Sequence, residues 1–268
     1  MTSFNYSTKN KVIGIDLHGT LLNKDWSVSP DSLPDLLASL SDINLHSHIY
    51  ICSGNDLNFV QEVLPAPVRE FIDGYILENG CVFSDGKKEH LLISPQQVSM
   101  IKSLQEDLHQ HQLPEVLFYG HRLGTISLFT KDRDRGVSPH NLFLYLKDYL
   151  KSHHSFHDIH ITHSDVAVDI LPEGNSKFNG LSMVCPLLQI IAIADSCNDW
   201  EFLSQADYSF IPQNASPHLE KKFLLHGFSI KHLTTYQHDK NNKTIYKSDQ
   251  PYTLGVIEIL QKINQQQE

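Results

Sequence analysis

The sequence predicts an α/β protein whose parallel sheet is covered by helices on both faces and interrupted in mid-chain by an α+β insert. Three observations lead there. Short, nearly all-apolar runs alternate with helical patterns at both ends of the chain, the way strands buried on two faces read. Two of these runs lead directly into an aspartate, Asp16 and Asp195. The middle of the chain changes order to helix, strand, strand, repeated twice, which describes an open sheet with helices on one face.

Taken in order, residues 11–15 read as a buried strand running into Asp16. Ser29 and Pro30 open a Leu-rich helix over residues 30–40, since proline lacks only an N–H that the first helical turn leaves unused. "HIYICSG" reads as a second apolar strand ending in a polar turn, "DLNFVQEVL" as a helix, and "GYILENGCVFS" as strand, turn and strand. In the insert, Ser94 and Pro95 open a helix reaching about His111. "EVLFYG" and "GTISLFT" are then paired strands whose turn carries His121 and Arg122. Ser138 and Pro139 open the second helix, through "NLFLYLKDYL", followed by strands "FHDIHIT" and "VAVDILP". After it the parallel pattern resumes: helix "SKFNGLSMVC", strand "QIIAIAD", helix "WEFLSQA", strand "YSFIP", and a closing helix in "DQPYTLGVIEILQKI". The expected division is a core of residues 1–84 and 167–268 with the insert at 85–166. No repeat of solenoid period is present beyond the twofold character of the insert.

Composition narrows the function. With 268 residues, 40% of them hydrophobic, the chain can bury a sizeable core. A formal charge of -10 argues against nucleic-acid binding, because phosphate backbones are held by clustered Lys and Arg. A small anionic substrate would need a local positive feature such as a metal. Cys52, Cys81, Cys185 and Cys197 form no CxxC pair and suit reduced thiols. The first residues are polar and no window approaches 18 uninterrupted apolar residues, so the expectation is a soluble cytoplasmic protein without a membrane span. The histidine-rich run "HHSFHDIHITH" reads as a solvated strand face, broken near Asp158, with His160 and Thr162 pointing away from Ile159 and Ile161.

The aspartates carry the chemistry. In an open parallel sheet, ligands bind beyond the carboxyl ends of the strands, near the point where strand order reverses. If the two strands are neighbours, Asp16 and Asp195 meet, and their repulsion calls for a cation; oxygen donors with spare waters suit magnesium. The alternative is that each aspartate merely caps the following helix.

Four motifs in order, "DLHGTLL" at Asp16, "ICSGND" at Ser53, "GNSKFNGL" at Lys177 and "IADSCND" at Asp195, resemble the haloacid dehalogenase superfamily. The branch is that of Cof-type sugar phosphatases, sucrose-phosphate and mannosylphosphoglycerate phosphatases and phosphomannomutase; "ILENGCVF" and "IPQNASP" resemble further stretches of it. The resemblance implies a Rossmann-like core with a cap inserted between the second and third motifs. It implies Asp16 as the nucleophile that takes the phosphoryl group, Ser53 with Gly54 and Asn55 contacting that group, and Lys177 balancing its charge. For Mg2+ it implies Asp16, the backbone carbonyl of His18, and Asp195, with Asn198 and Asp199 in direct or indirect support. The implied partner is a small phosphorylated substrate, with the chain a monomer or homodimer.

One position departs from the family. Most active members carry aspartate two residues after the nucleophile, where it protonates the leaving oxygen and later activates water; here it is His18. Imidazole can exchange protons near neutral pH, so His18 is expected to be the general acid/base. Magnesium would lower its pKa and neighbouring carboxylates would raise it, leaving the net direction open. Ala194 also stands where glycine usually precedes the metal aspartate. Arg122, Arg133 and Arg135 lie near the ends of the cap strands, where an arginine fork can grip a second anionic group of the substrate. A phosphatase is the first reading; a phosphomannomutase-like mutase and a phosphosugar binder without turnover are the alternatives.

Overall fold

The computed structural model describes residues 9–111, 113, 115–130, 139–152, 158–164, 167–237 and 243–266. Its strands are β1 Lys11–Asp16, β2 Ser47–Cys52, β3 Gly74–Leu77, β4 Val82–Ser84, β5 Glu89–Leu91, β6 Val116–Tyr119, β7 Ile126–Thr130, β8 Ile159–His163, β9 Ala167–Pro172, β10 Gln189–Ile193, β11 Tyr208–Ile211, β12 Ser229–His232 and β13 Thr244–Lys247. Its α-helices are α1 Leu33–Asn44, α2 Leu57–Val63, α3 Ala66–Arg69, α4 Pro95–His111, α5 Pro139–Ser152, α6 Lys177–Val184, α7 Trp200–Gln205, α8 Pro217–Leu225 and α9 Tyr252–Asn264.

Nine strands form one sheet in the order β12-β13-β11-β10-β1-β2-β3-β4-β5. The pairings are parallel from β12 to β3, and antiparallel where β4 and β5 fold back. Alternation along β1 sends side chains to both faces. Ile13 and Ile15 join Leu36 and Leu40 of α1 and Ile259 and Leu260 of α9; Val12 joins Leu181 of α6, Phe202 of α7 and Phe223 of α8. Gly14 lies on the second face, where a Cβ would sit 2.6 Å from the Phe202 ring and 2.9 Å from the Cys52 sulfur. A side chain at position 14 would therefore push a helix off the sheet.

The insert is a second, antiparallel sheet, β6-β7-β9-β8. Leu104 and Leu108 of α4 and Leu142, Leu146 and Leu150 of α5 cover one face of it, packing on Ile126, Leu128, Val168 and Ile170. This is the order and one-sided layering that the sequence predicts.

Several boundaries move. Helix α1 begins at Leu33, with Pro34 in its first turn and Ser32 at its N-cap, because the residues from Ser29 to Ser32 make a turn in which Ser29 O accepts the Ser32 and Leu33 amides. By sheet membership the insert does not follow the 85–166 division: β5 hydrogen-bonds to β4 in the large sheet, and β9 carries the small one on to Pro172. Strand β10 stops at Ile193, so Asp195 stands two residues beyond it. β5, β12, β13, α3 and α8 were not among the expected elements. Strand β8 starts directly after Asp158, whose φ of 64° supplies the break that the alternation requires; His153, His154, Phe156 and His157 lie outside the described residues. Cys52, Cys81, Cys185 and Cys197 are free thiols. Among the described residues no helix is long and apolar enough to cross a membrane.

Candidate active site

The sheet order puts β1 between β2 and β10, where the chain's progress across the sheet reverses. Register does the rest. Ile15 pairs with Ile193, and Asp16 pairs with Cys52, so Asp16, Asp195 and Ser53 reach one rim at the carboxyl ends of their strands. Asp16, Asp195 and Asp199 each offer an oxygen within 4.8 Å of the others, the one such group of three metal-ligand side chains among the described residues.

Asp16 is held from two sides. Its Oδ1 accepts from Lys177 Nζ at 2.6 Å and its Oδ2 from Thr20 Oγ1 at 2.9 Å, so its carboxylate plane is fixed. Lys177, the first residue of α6, also donates to Asp199 Oδ1 at 2.5 Å. Burial would lower the Lys177 pKa, but the two carboxylates hold it above the ordinary lysine value. Asp199 is fully buried, and Ser196 Oγ donates to its other oxygen at 3.0 Å. The Asn198 side-chain oxygen also lies within reach of Ser196 Oγ, which shares its one hydrogen between the two acceptors. Thr20 bridges to Asp195 at 3.1 Å, and Gly19, with φ of 77°, lets the backbone pass against the Asp195 carboxylate where any Cβ would collide. Burial first, then repulsion from Asp16 and Asp199, pushes Asp195 up to about 8. Three carboxylates closing on one point with only one ammonium between them are short of positive charge. Hard oxygen donors in that deficit fit a divalent cation such as magnesium.

A family model described as haloacid dehalogenase-like hydrolase matches residues 13–141 and 135–224, which takes in this whole rim. The chain belongs to the haloacid dehalogenase-like hydrolases. Solved structures of similar fold include the sucrose-phosphatase of Synechocystis in complex with sucrose and phosphate (16% identity, 94% of this chain and 97% of that one, TM-score 0.67). A putative HAD/COF-like hydrolase from Plasmodium vivax (15%, 96% and 96%, 0.66) and protein 0175 of Thermoplasma acidophilum (14%, 96% and 99%, 0.64) are also similar. A comparison with curated proteins gave no match.

In this haloacid dehalogenase-like hydrolase, His18 follows β1 and packs against two aromatic rings that also touch each other, Trp26 at 5.3 Å and Phe59 at 5.2 Å between centroids. Burial, then the charge of Lys177, pulls its pKa down to about 4, which gives the direction that sequence alone left open. Its Nδ1 lies 3.2 Å from Asn55 Nδ2. Ser53 is buried at the end of β2, and its Oγ accepts from the Asn55 amide at 3.1 Å and from Asn55 Nδ2 at 3.4 Å. Because the hydroxyl oxygen is accepting from both, its own hydrogen is left for a phosphoryl oxygen. Gly54 passes close to Asn79, where a Cβ would sit 3.2 Å from the side-chain amide.

Arg122 comes from the turn between β6 and β7, as expected, but it is not an empty anion fork. It donates to Asp56 Oδ2 at 2.9 Å and to Asn55 Oδ1 at 3.2 Å, with its side chain only 5% exposed. Its Nε has no hydrogen-bond partner among the described residues. Arg133 and Arg135 lie outside the described residues.

The turn expected within "GYILENGCVFS" is Glu78–Gly80, but sequence reasoning missed what it holds. Glu78, Asn79 and Gly80 have φ of 49°, 54° and 98°, three successive residues in the left-handed region. The Glu78 carboxylate accepts the Leu123 and Gly124 amides, both at 2.8 Å, and the Thr125 hydroxyl at 3.2 Å. Asn79 donates to Asp169 of β9 at 3.3 Å while its own amide donates to Ser53 O at 3.1 Å. Gly80 passes under Ser176, the N-cap of α6, where a Cβ would overlap the Ser176 carbonyl. One turn thus touches the insert, Ser53 and the helix that carries Lys177. Asn-Gly signals a turn in the sequence, but not its contacts.

Proposed function

We propose that the chain is a magnesium-dependent phosphatase acting in the cytoplasm on a small phosphorylated metabolite, of phosphosugar or phosphoglycerate type, through an aspartyl-phosphate intermediate. The observation that carries this reading is the Lys177 ammonium held between Asp16 and Asp199 with Asp195 alongside. The family supports hydrolase chemistry, and the likeness to a sucrose-phosphatase fold supports the phosphosugar class.

Asp16, Asp195 and Asp199, with Asn198 and the His18 carbonyl, would hold the magnesium. When bound, the ion supplies positive charge at the phosphoryl oxygens as they gather charge in transfer. Asp16, fixed through both oxygens, attacks phosphorus in line, and the bond to the leaving oxygen breaks as the new one forms. Ser53 donates to an equatorial oxygen, and Lys177 keeps Asp16 ionised and balances the transferring group. With Nδ1 accepting from Asn55, the neutral His18 ring offers its Nε2 hydrogen as a hydrogen bond to the leaving oxygen, which takes its proton from solvent as it departs. Water then attacks the phosphoaspartate, releasing phosphate and restoring Asp16.

The test is turnover of 4-nitrophenyl phosphate with magnesium and after its removal by chelation, followed by a panel of phosphosugars and phosphoglycerates. The reading expects hydrolysis that chelation abolishes and the ion restores. Tight binding of phosphate esters with no phosphate release would replace it with a binding protein.

A further inference from the structure

Asn55 stands between the insert and two groups at the rim. Its side-chain oxygen meets Arg122 Nη2 at 3.2 Å, and its side-chain nitrogen lies 3.2 Å from His18 Nδ1 and 3.4 Å from Ser53 Oγ. A guanidinium can only donate. Contact with Arg122 therefore fixes which end of the amide is oxygen, and the two hydrogens of the NH2 must point at Ser53 and His18. Two polarities follow. The Ser53 oxygen accepts, so its hydrogen is free to turn outward. Nδ1 of His18 accepts, so the neutral ring carries its hydrogen on Nε2, which makes no hydrogen bond among the described residues.

Flipping the amide reverses both. Asn55 would then present its oxygen to Ser53 and to the imidazole, capturing the serine hydrogen and drawing the ring hydrogen to Nδ1. Among the described residues, the donor on the far side of Asn55 is what separates the two arrangements, because the Asn55 backbone amide bonds Ser53 Oγ in either.

Resting on the phosphatase reading above, we infer that Arg122 is a positioning residue: the insert delivers it to Asn55, and through that amide it sets Ser53 and His18 as donors toward the substrate. Arg122 does not itself need to grip the substrate. Asp56, which caps α2 by accepting the Phe59 amide at 2.9 Å, anchors the guanidinium so that its second nitrogen reaches Asn55. The Glu78 carboxylate, bonded to the Leu123 and Gly124 amides, fixes the turn from which Arg122 projects.

The experiment uses the full chain and two variants, Arg122→Ala and Asn55→Asp. Asn55→Asp keeps the partner of Arg122 and nearly the same shape but can only accept, so it serves if Arg122→Ala does not fold. The substrate is 4-nitrophenyl phosphate, whose leaving group has no second anion for an arginine to bind. Positioning predicts that each folded variant loses about tenfold or more in kcat on this ester. Nitrogen NMR of the His18 ring should show the hydrogen on Nε2 in the parent and on Nδ1 in Asn55→Asp. The inference is overturned if Arg122→Ala keeps kcat on the aryl ester within about twofold and raises KM only for substrates with a second anion. It is equally overturned if the ring hydrogen of Asn55→Asp stays on Nε2. Should the parent hydrolyse no ester at all, the phosphatase reading fails by itself, and the same ring measurement on Arg122→Ala still decides the role of Arg122: a hydrogen no longer fixed on Nε2 supports it, and one that stays there as in the parent overturns it.

Discussion

At residue scale, position 18 carries histidine where the family resemblance leads one to expect aspartate. The ring packs against Trp26 and Phe59, is tied to Asn55, and is held uncharged by burial and by Lys177. A positioned hydrogen-bond donor aimed at developing negative charge contributes typically a factor of about 10² to 10³. His18→Ala should therefore lower kcat within that range while His18→Asp keeps or raises it, measured as steady-state turnover of one ester. Equal turnover by His18→Ala and the parent would remove His18 from the chemistry. Asp16 and Asp195 stand out in the sequence because apolar runs lead into them, whereas Ser53, Lys177 and Asp199 could be picked out through the resemblance of their motifs. The Asn55 amide and the Arg122 guanidinium could be placed near the site in the same way, but not joined. Their partnership spans 67 positions and depends on how a turn in one sheet docks on another, which no local pattern encodes.

At element scale, the turn Glu78–Gly80 has to hold three left-handed residues, two of them not glycine, each costing of order 1–3 kcal/mol. Such strain persists only where surrounding contacts fix it, and here those contacts are the insert, Ser53 and Ser176. Glu78→Ala takes the acceptor from the buried Gly124 amide, an unpaired donor that costs about 1–3 kcal/mol. The midpoint of urea unfolding should fall accordingly, and the Gly124 amide should exchange faster with solvent. Unchanged exchange would mean that the carboxylate does not hold the insert. Long elements with a clear period, α4, α5 and α9, were legible. Strand β12, with its alternating but mostly exposed "SIKH", and the four-residue β13 carry too few apolar positions to announce themselves. They become strands because β11 offers β13 an open edge, and β13 in turn offers one to β12.

At the scale of the whole molecule, two sheets with separate cores meet over one rim. Alternation of apolar runs and helices made the large sheet legible, and the change of order made the insert legible. Its limits were less so: a strand belongs to the sheet it bonds, so β5 and β9 fall on opposite sides of the boundaries that the order of elements suggested. Everything proposed depends on Asp16 and Asp195, 179 positions apart in the numbering, sharing one cation. The measurement that tests this most directly is a titration with Mn2+, a paramagnetic stand-in for magnesium, followed by electron paramagnetic resonance. The parent should bind one ion per chain, and Asp16→Asn and Asp195→Asn should each weaken it by about tenfold or more. Binding of the ion undiminished in both variants would contradict the shared site and, with it, the catalytic account.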